Sequence, residues 1–240
     1  MISKLAVVET KEIGTNVQIG HFCVINKDVT IGDNVIIHHN VIIEPGVIIG
    51  NNVEIFPGAY IGKKPKGAGA VAREPNYEKI VSIGDSCSIG PHSTIYYDVF
   101  IGNNTLIGDN ASIREKCVIG EYCIISRCVT INYNVKIGNR TKIMDLTHIT
   151  GNCEIGDDVF ISVLVKTTND NAIGKLGYES ERIIGPKINN GVLVGAGANL
   201  LPRITIGENS IVGASSVVSK DVPPAKLVIG SPARIIKSLD

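Results

Sequence analysis

The sequence predicts an all-β fold, a parallel β-helix in which short strands and tight corners alternate around a three-sided prism. An aliphatic residue recurs every six positions, and a glycine most often follows it. The repeat runs from Ile13 to Ile61 in nine hexapeptides, resumes at Ile83 for fourteen more, and returns from Ile188 to Val218 for six. Because six is three times the period of a β-strand, each hexapeptide fits one strand and one corner.

Three hexapeptides close one triangular coil, and successive coils stack about 4.8 Å apart, like strands in a sheet. The 29 hexapeptides predict nine to ten coils in a single domain that spans residues 1–240. Two segments break the period, and we interpret 63–80 and 167–187 as loop insertions. Residues 188–240 then form the C-terminal coils.

The composition excludes several classes of function. Because 23 Lys and Arg balance 23 Asp and Glu, we expect neither nucleic acid nor an acidic membrane as the main partner. No apolar run approaches the roughly 20 residues of a membrane-spanning helix, and the N-terminal residues lack a signal-peptide pattern. We therefore expect a cytoplasmic protein.

The cysteine positions predict buried, unreacted thiols. Five of the six cysteines lie four positions after an isoleucine, where the pattern places a small inward side chain: Cys23, Cys87, Cys117, Cys123 and Cys153. No two are 18 residues apart, so none stacks directly on another, and disulfides are not expected. No Cys/His spacing typical of zinc occurs, and we predict no metal.

Both insertions are predicted to leave the same edge of the prism, the edge that follows the column of Ile25, Ile43 and Ile61. On four successive coils of this edge no glycine follows the isoleucine. The residues found there are Tyr96, Arg114, Asn132 and Thr150, followed directly by Tyr97, Glu115, Tyr133 and Gly151. We interpret this as glycine being replaced where a side chain must extend outward, at the expense of an easier turn. The edge is therefore predicted to line a ligand cleft, with a decorated solvent edge as the alternative.

The first insertion concentrates positive charge, and its glycines Gly67 and Gly69 would let backbone N–H groups approach an anion. The cationic side chains are Lys63, Lys64, Lys66 and Arg73. We predict that they bind the diphosphate of a sugar nucleotide; a solvated lysine-rich loop is the alternative. The second insertion is polar, with Asn169, Asp170 and Tyr178, and is predicted to cover or complete the cleft.

The C-terminal coils have unusually small corners, which would let a slender ligand lie along the prism edge. These corners contain Ala196, Gly197, Ala198 and Ala214, and the cations Lys220, Lys226 and Arg234 follow, suited to phosphate groups. The arrangement VGAGANLLP, VGASSVVSKDVPP and GSPAR resembles the coenzyme A-binding end of hexapeptide-repeat acyltransferases.

Most of the chain past residue 60 resembles one branch of that family, the sugar-nucleotide N-acyltransferases, especially those acting on dTDP-linked amino-dideoxyhexoses. The similar segments are IGKKPKG, SIREKCVIG, VTINYNVKIG, IMDLTHITGNCEIGD and KTTNDN. The resemblance implies a left-handed β-helix and a homotrimer with active sites between neighbouring prisms. It also implies transfer of an acetyl or longer acyl group from acyl-CoA to the 3- or 4-amino group of the sugar, for surface-polysaccharide biosynthesis.

Some members of that family have a histidine base directly after the Asn of the INx segment, whereas this chain has Tyr133. The resemblance implies that Glu115, Asn132 and Tyr133 border the sugar, and that the departing thiolate finally takes the proton. Our hypothesis is that Glu115 orients the amine, with acceptance of its proton as a further role, and that Asn132 holds the amine or a hydroxyl. Tyr97 and Arg114 are predicted substrate contacts.

His148 and Asp145 form a second candidate pair on an outer surface. His148 is predicted to be catalytic, with a structural or substrate-contact role as the alternative, and Asp145 is predicted to contact the substrate.

Three other functions fit the fold. Some hexapeptide proteins bind zinc through three histidines between subunits, but the histidines here do not fall on stacked corners. A β-helical scaffold would not bind coenzyme A. An O-acetyltransferase acting on a small hydroxyl acceptor is the main alternative, and the missing histidine after Asn132 favours an amine acceptor instead.

Overall fold

In the computed structural model, which describes residues 1–67, 73–179 and 181–239, the chain forms a left-handed parallel β-helix, as predicted. The described residues contain no helix, and so none that is long and apolar enough to cross a membrane. The chain visits three sheets in turn on every coil. We call them the first, second and third sheets, and we give each edge the number of the sheet that precedes it.

The first sheet has ten parallel strands. They are β2 (Glu12–Ile13), β5 (Thr30–Ile31), β8 (Val47–Ile49), β11 (Val81–Ile83), β14 (Val99–Ile101), β17 (Cys117–Ile119), β20 (Lys136–Ile137), β23 (Glu154–Ile155), β26 (Lys187–Ile188) and β29 (Thr205–Ile206).

The second sheet has twelve strands, of which the last is antiparallel. They are β3 (Gln18–Ile19), β6 (Ile36–Ile37), β9 (Glu54–Ile55), β12 (Ser88–Ile89), β15 (Leu106–Ile107), β18 (Ile124–Ile125), β21 (Lys142–Ile143), β24 (Phe160–Ile161), β27 (Leu193–Val194), β30 (Ile211–Val212), β32 (Lys226–Gly230) and β33 (Ala233–Ser238).

The third sheet has eleven strands. They are β1 (Val7–Val8), β4 (Val24–Ile25), β7 (Ile42–Ile43), β10 (Tyr60–Lys63), β13 (Thr94–Tyr96), β16 (Ser112–Ile113), β19 (Thr130–Ile131), β22 (His148–Ile149), β25 (Lys166–Thr167), β28 (Asn199–Leu200) and β31 (Val217–Val218).

The hexapeptide isoleucines form three aliphatic columns inside the prism. In the third sheet Ile61 pairs with Ile95, and the same register continues through Ile113 and Ile131. All four are at most 1% exposed. Each such side chain contributes roughly 1.5–3 kcal/mol of burial free energy, so the columns are the main source of stability.

At most corners the glycine that directly follows the isoleucine is required by close stacking rather than by an unusual backbone angle. In the Ile-Gly-Asp-Asn corner at 31–34, the left-handed residue is Asn34, with φ of 58°. A Cβ on Gly32 would lie 2.7 Å from the carbonyl carbon and oxygen of Gly50 in the next coil. Our interpretation of these glycines as conformational was therefore wrong, because the constraint is the backbone of the neighbouring coil.

The Asp and Asn residues of the corners tie consecutive coils together. On the first edge the Asp33 carboxylate accepts the Thr15 N–H at 2.6 Å, and the Asn51 side-chain oxygen accepts the Asp33 N–H at 2.9 Å. The left-handed asparagines add a parallel ladder, in which Asn16 donates to Asn34 at 3.0 Å. Side-chain oxygens thus satisfy corner N–H groups that the sheets leave unpaired.

All six cysteines are free thiols, and the five at the inward position are buried, whereas Cys128 is exposed. The Cys123 thiol donates to the carbonyl oxygen of Gly138 at 3.0 Å. These side chains fill the small inward position, as predicted.

The strands at the two ends extend beyond the isoleucine repeat, so the solenoid has about 12 turns and the prediction of nine to ten coils was too low. β1 and the bridge between Ile2 and Ile19 add an N-terminal coil. At the other end Val222 bridges Ile206 and β32 pairs in parallel with β30, so the chain continues around the prism after Val218. β33 then folds back and pairs antiparallel with β32.

Both insertions leave the third edge, as the spacing predicts. The first runs between β10 and β11, and the second between β25 and β26. The first is anchored by Tyr77, whose ring stacks on Tyr97 with centroids 5.9 Å apart. The second is organised by Asp170, which accepts the N–H groups of Ala172 and Gly174 and pairs with Arg182 at 3.1 Å.

We expect Gly102→Ala to lower the free energy of unfolding by about 2 kcal/mol or more, because the new Cβ would meet backbone atoms of Gly120 and Glu121 at 2.7–2.8 Å. Gly174→Ala is the matched control. Gly174 has φ of 76°, and a Cβ added there would have no other atom within 4 Å, so that substitution should cost only about 1 kcal/mol of backbone strain. Urea unfolding followed by circular dichroism measures both, and a larger loss for Gly174→Ala would contradict the stacking argument.

Candidate functional site

The third edge brings together the corner residues that stand where most other corners have a glycine. β13, β16, β19 and β22 are consecutive in the third sheet, so their corners lie one coil apart on this edge. The two insertions flank the same four coils. The predicted placement of Tyr97, Glu115 and Tyr133 on one edge is therefore confirmed.

Glu115 is completely buried on this edge, and two arginines contact it. Arg114 donates from Nε to Oε2 and from Nη2 to Oε1, both at 3.1 Å. Arg73, from the first insertion, donates from Nη2 to Oε1. The carboxylate therefore has no surface from which to contact a ligand directly in this arrangement.

Tyr133 lies between the first insertion and the next coil. The guanidinium of Arg73 stacks over its ring at 4.0 Å, and that of Arg114 lies 5.5 Å from the ring centroid. A Cβ on Gly151 would lie 2.7 Å from the same ring, which explains the return of glycine at this position. Burial and the neighbouring Tyr178 raise the pKa of the Tyr133 hydroxyl.

A cleft of about 440 Å³ opens beside Tyr133. Its lining is cationic and aromatic, with one carboxylate, and includes Arg73, Lys116, Tyr133, Lys136, Glu154 and Tyr178. The rings of Tyr133 and Tyr178 meet edge to face with centroids 6.4 Å apart. Further hollows continue from the cleft over the first sheet, past Glu154 and Lys187. This arrangement suits an elongated anionic ligand that has a planar ring.

Several lining residues were not predicted from the sequence, because the missing glycines mark only the first two positions of each corner. Lys116, Asn134 and Asn152 occupy the third corner position, and all three have φ between 55° and 62°. A left-handed residue there points its side chain away from the prism. Lys136 and Glu154 are the outward residues of β20 and β23. The sequence signal for both groups is their position in the hexapeptide: the third corner residue, and the strand residue directly before the isoleucine.

The lysines of the first insertion do not form one cluster with Arg73. The Lys63 ammonium donates to the Tyr96 hydroxyl at 2.8 Å, whereas Lys64 and Lys66 are exposed. Gly69 lies outside the described residues. Of the four predicted cations, Arg73 is the one that lines the cleft.

The other predicted substrate contacts of this edge, Tyr97, Asn169 and Asp170, lie at different distances from the cleft. Tyr97 is 5% exposed and donates its hydroxyl to the carbonyl of Pro45 at 2.9 Å, and burial raises its pKa to about 12. Tyr97 therefore packs beneath the edge instead of lining the cleft. Asn169 lies nearer the cleft, since it donates to the carbonyl oxygen of Gly151 at 3.1 Å. Asp170 is held within its own loop by the N–H groups of Ala172 and Gly174.

Asp145 and His148 do not contact each other, because each bonds a different residue one coil below. Asp145 lies on the second edge, where hydrogen bonds from Arg127 and Ser126 lower its pKa to about 2. His148 lies on the outer face of the third sheet, with Nδ1 2.7 Å from the Thr130 hydroxyl. Burial lowers the pKa of His148, so its imidazole is neutral at pH 7.

The predicted coenzyme A residues divide between two places. Ala196, Gly197 and Ala214 form small corners on the second edge, where Ala214 N would lie 2.5 Å from a Cβ on Gly195. Ala198 instead lies in the core with no exposed surface. The basic residues predicted to bind the phosphates of the same ligand are Lys220, Lys226 and Arg234.

Those three basic residues lie at the C-terminal end of the prism. Lys220 and Arg234 line a cavity of about 360 Å³ there. Lys226 donates to the Ser238 hydroxyl at 2.6 Å across the terminal hairpin. No group of three or more His, Cys, Asp or Glu side chains within residues 1–67, 73–179 and 181–239 is arranged to hold a metal ion.

The repeat pattern matches a known family along most of its length. The profile described as "Bacterial transferase hexapeptide (six repeats)" matches residues 10–45, 28–63, 98–133, 134–163 and 185–220, together more than half of the chain. The chain belongs to the bacterial transferase hexapeptide family. Membership explains the repeat and the fold, whereas the substrate depends on the residues at the edges.

Similarity to curated members of the family is confined to short segments. Serine acetyltransferase 3 from Arabidopsis thaliana is 54% identical over 55 residues, which are 23% of this chain and 14% of that protein. The bifunctional protein GlmU from Rubrobacter xylanophilus is 48% identical over 50 residues, which are 21% of this chain and 11% of that protein. The first curated relatives are matched over 11% to 31% of their own lengths.

Solved structures resemble the whole chain. A UDP-N-acetylglucosamine acyltransferase from Arabidopsis superposes with a TM-score of 0.61 and 20% identity over 100% of this chain and 74% of that one. LpxA from Bacteroides fragilis, also a UDP-N-acetylglucosamine acyltransferase, gives a TM-score of 0.57 and 22% identity over 100% and 75%. At this identity the likeness establishes the fold.

We expect stability to fall as the pH is lowered from 7 to 5, in part because of His148. Its pKa in the folded protein lies below the ordinary value of about 6.5, so the unfolded chain binds the proton more tightly. The stabilising contribution is present above about pH 6.5 and is lost as the pH falls. Thermal unfolding across this range should show a shallower dependence for His148→Gln. An identical dependence in the two proteins would contradict the assignment.

Proposed function

We propose that this protein is an acyl-CoA-dependent N-acyltransferase that acts on a nucleotide-linked amino sugar. The observation that supports this most is the cationic, tyrosine-lined cleft of about 440 Å³, at the edge where no glycine directly follows the isoleucine on four consecutive coils. A hexapeptide transferase with such a cleft is suited to a sugar nucleotide. The sequence resemblance narrows the acceptor to the 3- or 4-amino group of a dTDP-linked amino-dideoxyhexose, for surface-polysaccharide biosynthesis.

The cleft fits the nucleotide sugar by charge and by shape. Arg73, Lys116 and Lys136 provide three cations against the single carboxylate of Glu154, which favours a diphosphate. The rings of Tyr133 and Tyr178 offer apolar faces to a base or a sugar. Asn132, directly before Tyr133, would hold the amine or a neighbouring hydroxyl.

The acyl-CoA would lie along the second edge of a neighbouring chain. The small corners at Ala196 and Ala214 leave room for an extended pantetheine arm, and Lys220 and Arg234 would bind its phosphates. The cleft and these corners lie on different edges of one prism, so neighbouring subunits would bring them together. We therefore propose a homotrimer. Five buried thiols that remain unpaired fit a reducing, cytoplasmic compartment.

The proposed reaction is direct attack of the neutral amine on the thioester carbonyl. The C–N bond forms as the carbonyl electrons move to oxygen; collapse then breaks the C–S bond, the amine proton is lost, and the thiolate finally takes a proton. Positioning can supply roughly 7 to 11 kcal/mol of the barrier, and an oxyanion donor about 3 kcal/mol. Backbone N–H groups of the small corners would be that donor.

His148 supports an O-acetyltransferase as the alternative function. Its imidazole is neutral at pH 7, and its Nδ1 contacts Thr130, so Nε2 could accept a proton from a hydroxyl acceptor. A general base contributes typically 10²- to 10⁴-fold. With serine as the acceptor, a thiol-release rate that is at least 100-fold lower in His148→Gln than in the wild type would favour this alternative.

We expect thiol release from acetyl-CoA, followed with a thiol-reactive dye, to require a dTDP-linked amino sugar. Ala214→Trp should raise the KM for acetyl-CoA at least tenfold, because the indole would fill the exposed second edge. Glu208→Trp is the matched control, since Glu208 lies on the first edge in the same coil, and should leave that KM unchanged. The proposal fails if no acyl-CoA releases thiol with any amino-sugar nucleotide, or if both tryptophan variants behave alike.

A further inference from the structure

Glu115 is the one fully buried charged side chain among residues 1–67, 73–179 and 181–239, and the proposed chemistry leaves its burial unexplained. A buried carboxylate is stable only when it is paired and hydrogen-bonded. Here two guanidinium groups surround it, so the cluster has a net positive charge. A single arginine would have neutralised Glu115, so the second guanidinium leaves a positive charge that is available to bind another anion.

We propose that Glu115, itself held by Arg114, is a positioning residue that orients Arg73 as a clamp for the diphosphate of a nucleoside diphosphate. This inference rests on the proposed function and assigns the anion-recognition part of the same cleft. Arg73 is the residue that touches the ligand, and Glu115 acts through it.

The orientation of Arg73 is fixed from two directions. Its Nη2 donates to Glu115 Oε1, and its plane stacks on the Tyr133 ring at 4.0 Å. The side chain is 20% exposed and lines the cleft. A guanidinium has five N–H donors, and a planar pair of them matches two phosphate oxygens. Because the group is already oriented, little rotamer entropy is lost when the anion binds.

Arg114 fixes the carboxylate that orients Arg73. It spans both oxygens of Glu115 at 3.1 Å, and its guanidinium carbon lies 5.9 Å from the centroid of the Tyr96 ring. With both oxygens engaged, Glu115 cannot turn away from Arg73 without breaking a buried ion pair. The carboxylate therefore fixes the position of Arg73 without contacting the ligand.

This role differs from that of a proton acceptor, the hypothesis drawn from the sequence. An amine could bond Glu115 only by displacing Arg73, because the carboxylate has no exposed surface. A proton acceptor affects turnover, whereas a positioning residue affects the affinity for a ligand that it never touches. The two roles can therefore be separated by binding measurements without any acyl donor.

The test is titration calorimetry with dTDP and with thymidine on the full chain. Arg73→Ala should weaken dTDP binding at least tenfold and leave thymidine binding unchanged. Glu115→Gln should weaken dTDP binding by a similar factor. The double variant should bind no more than threefold more weakly than Arg73→Ala, because Glu115 acts only through the arginine. Glu154→Gln, which removes the exposed carboxylate of the same cleft, should bind dTDP as well as or better than the wild type.

Glu115→Asp serves as a second variant that keeps the buried charge if Glu115→Gln fails to fold. The shorter side chain should still fold and should weaken dTDP binding severalfold. The proposal is overturned if either folded Glu115 variant keeps wild-type dTDP affinity while its thiol-release rate collapses, or if Arg73→Ala keeps that affinity. If dTDP binding depends on Arg73 and Glu115 but no thiol is released with any acceptor, the clamp proposal is supported and the acyltransferase proposal is contradicted.

Discussion

Close stacking of corner backbones is the constraint on which the rest of this structure depends. Coils about 4.8 Å apart leave no room for a Cβ at the glycine of a regular corner, as the contacts around Gly32 and Gly102 show. A glycine corner therefore carries no side chain at the position directly after the isoleucine. Large side chains at that position require corners where this stacking is relaxed, and the third edge has four such corners on consecutive coils.

The two insertions and the large corner residues explain each other. Arg73 arrives from the first insertion and covers Glu115, while Tyr133 fills the space above Gly151 and meets Tyr178 of the second insertion. Without the insertions, a glutamate on a corner would be solvated, as Asp33 is at the same hexapeptide position of the first edge. Burial of a charge thus follows from loop placement and not from the repeat.

The repeat allowed most of the fold to be predicted, because a period of six determines which residues face the core and which edge follows each column. It also placed both insertions and Tyr97, Glu115 and Tyr133 on one edge. The burial of Glu115 could not be predicted, since no spacing shows which loop residue covers it. The outward direction of Lys116 follows from its left-handed backbone, which glycine-centred reasoning overlooked.

The central claim is that the third edge binds the nucleotide while the second edge of a neighbouring chain binds coenzyme A. A crystal structure grown with both dTDP and coenzyme A tests it most directly. The account predicts the diphosphate in contact with the Arg73 guanidinium, and pantetheine along Ala196 and Ala214 of an adjacent subunit. A nucleotide bound at the first edge, or a coenzyme A bound far from every third-edge cleft, would contradict it.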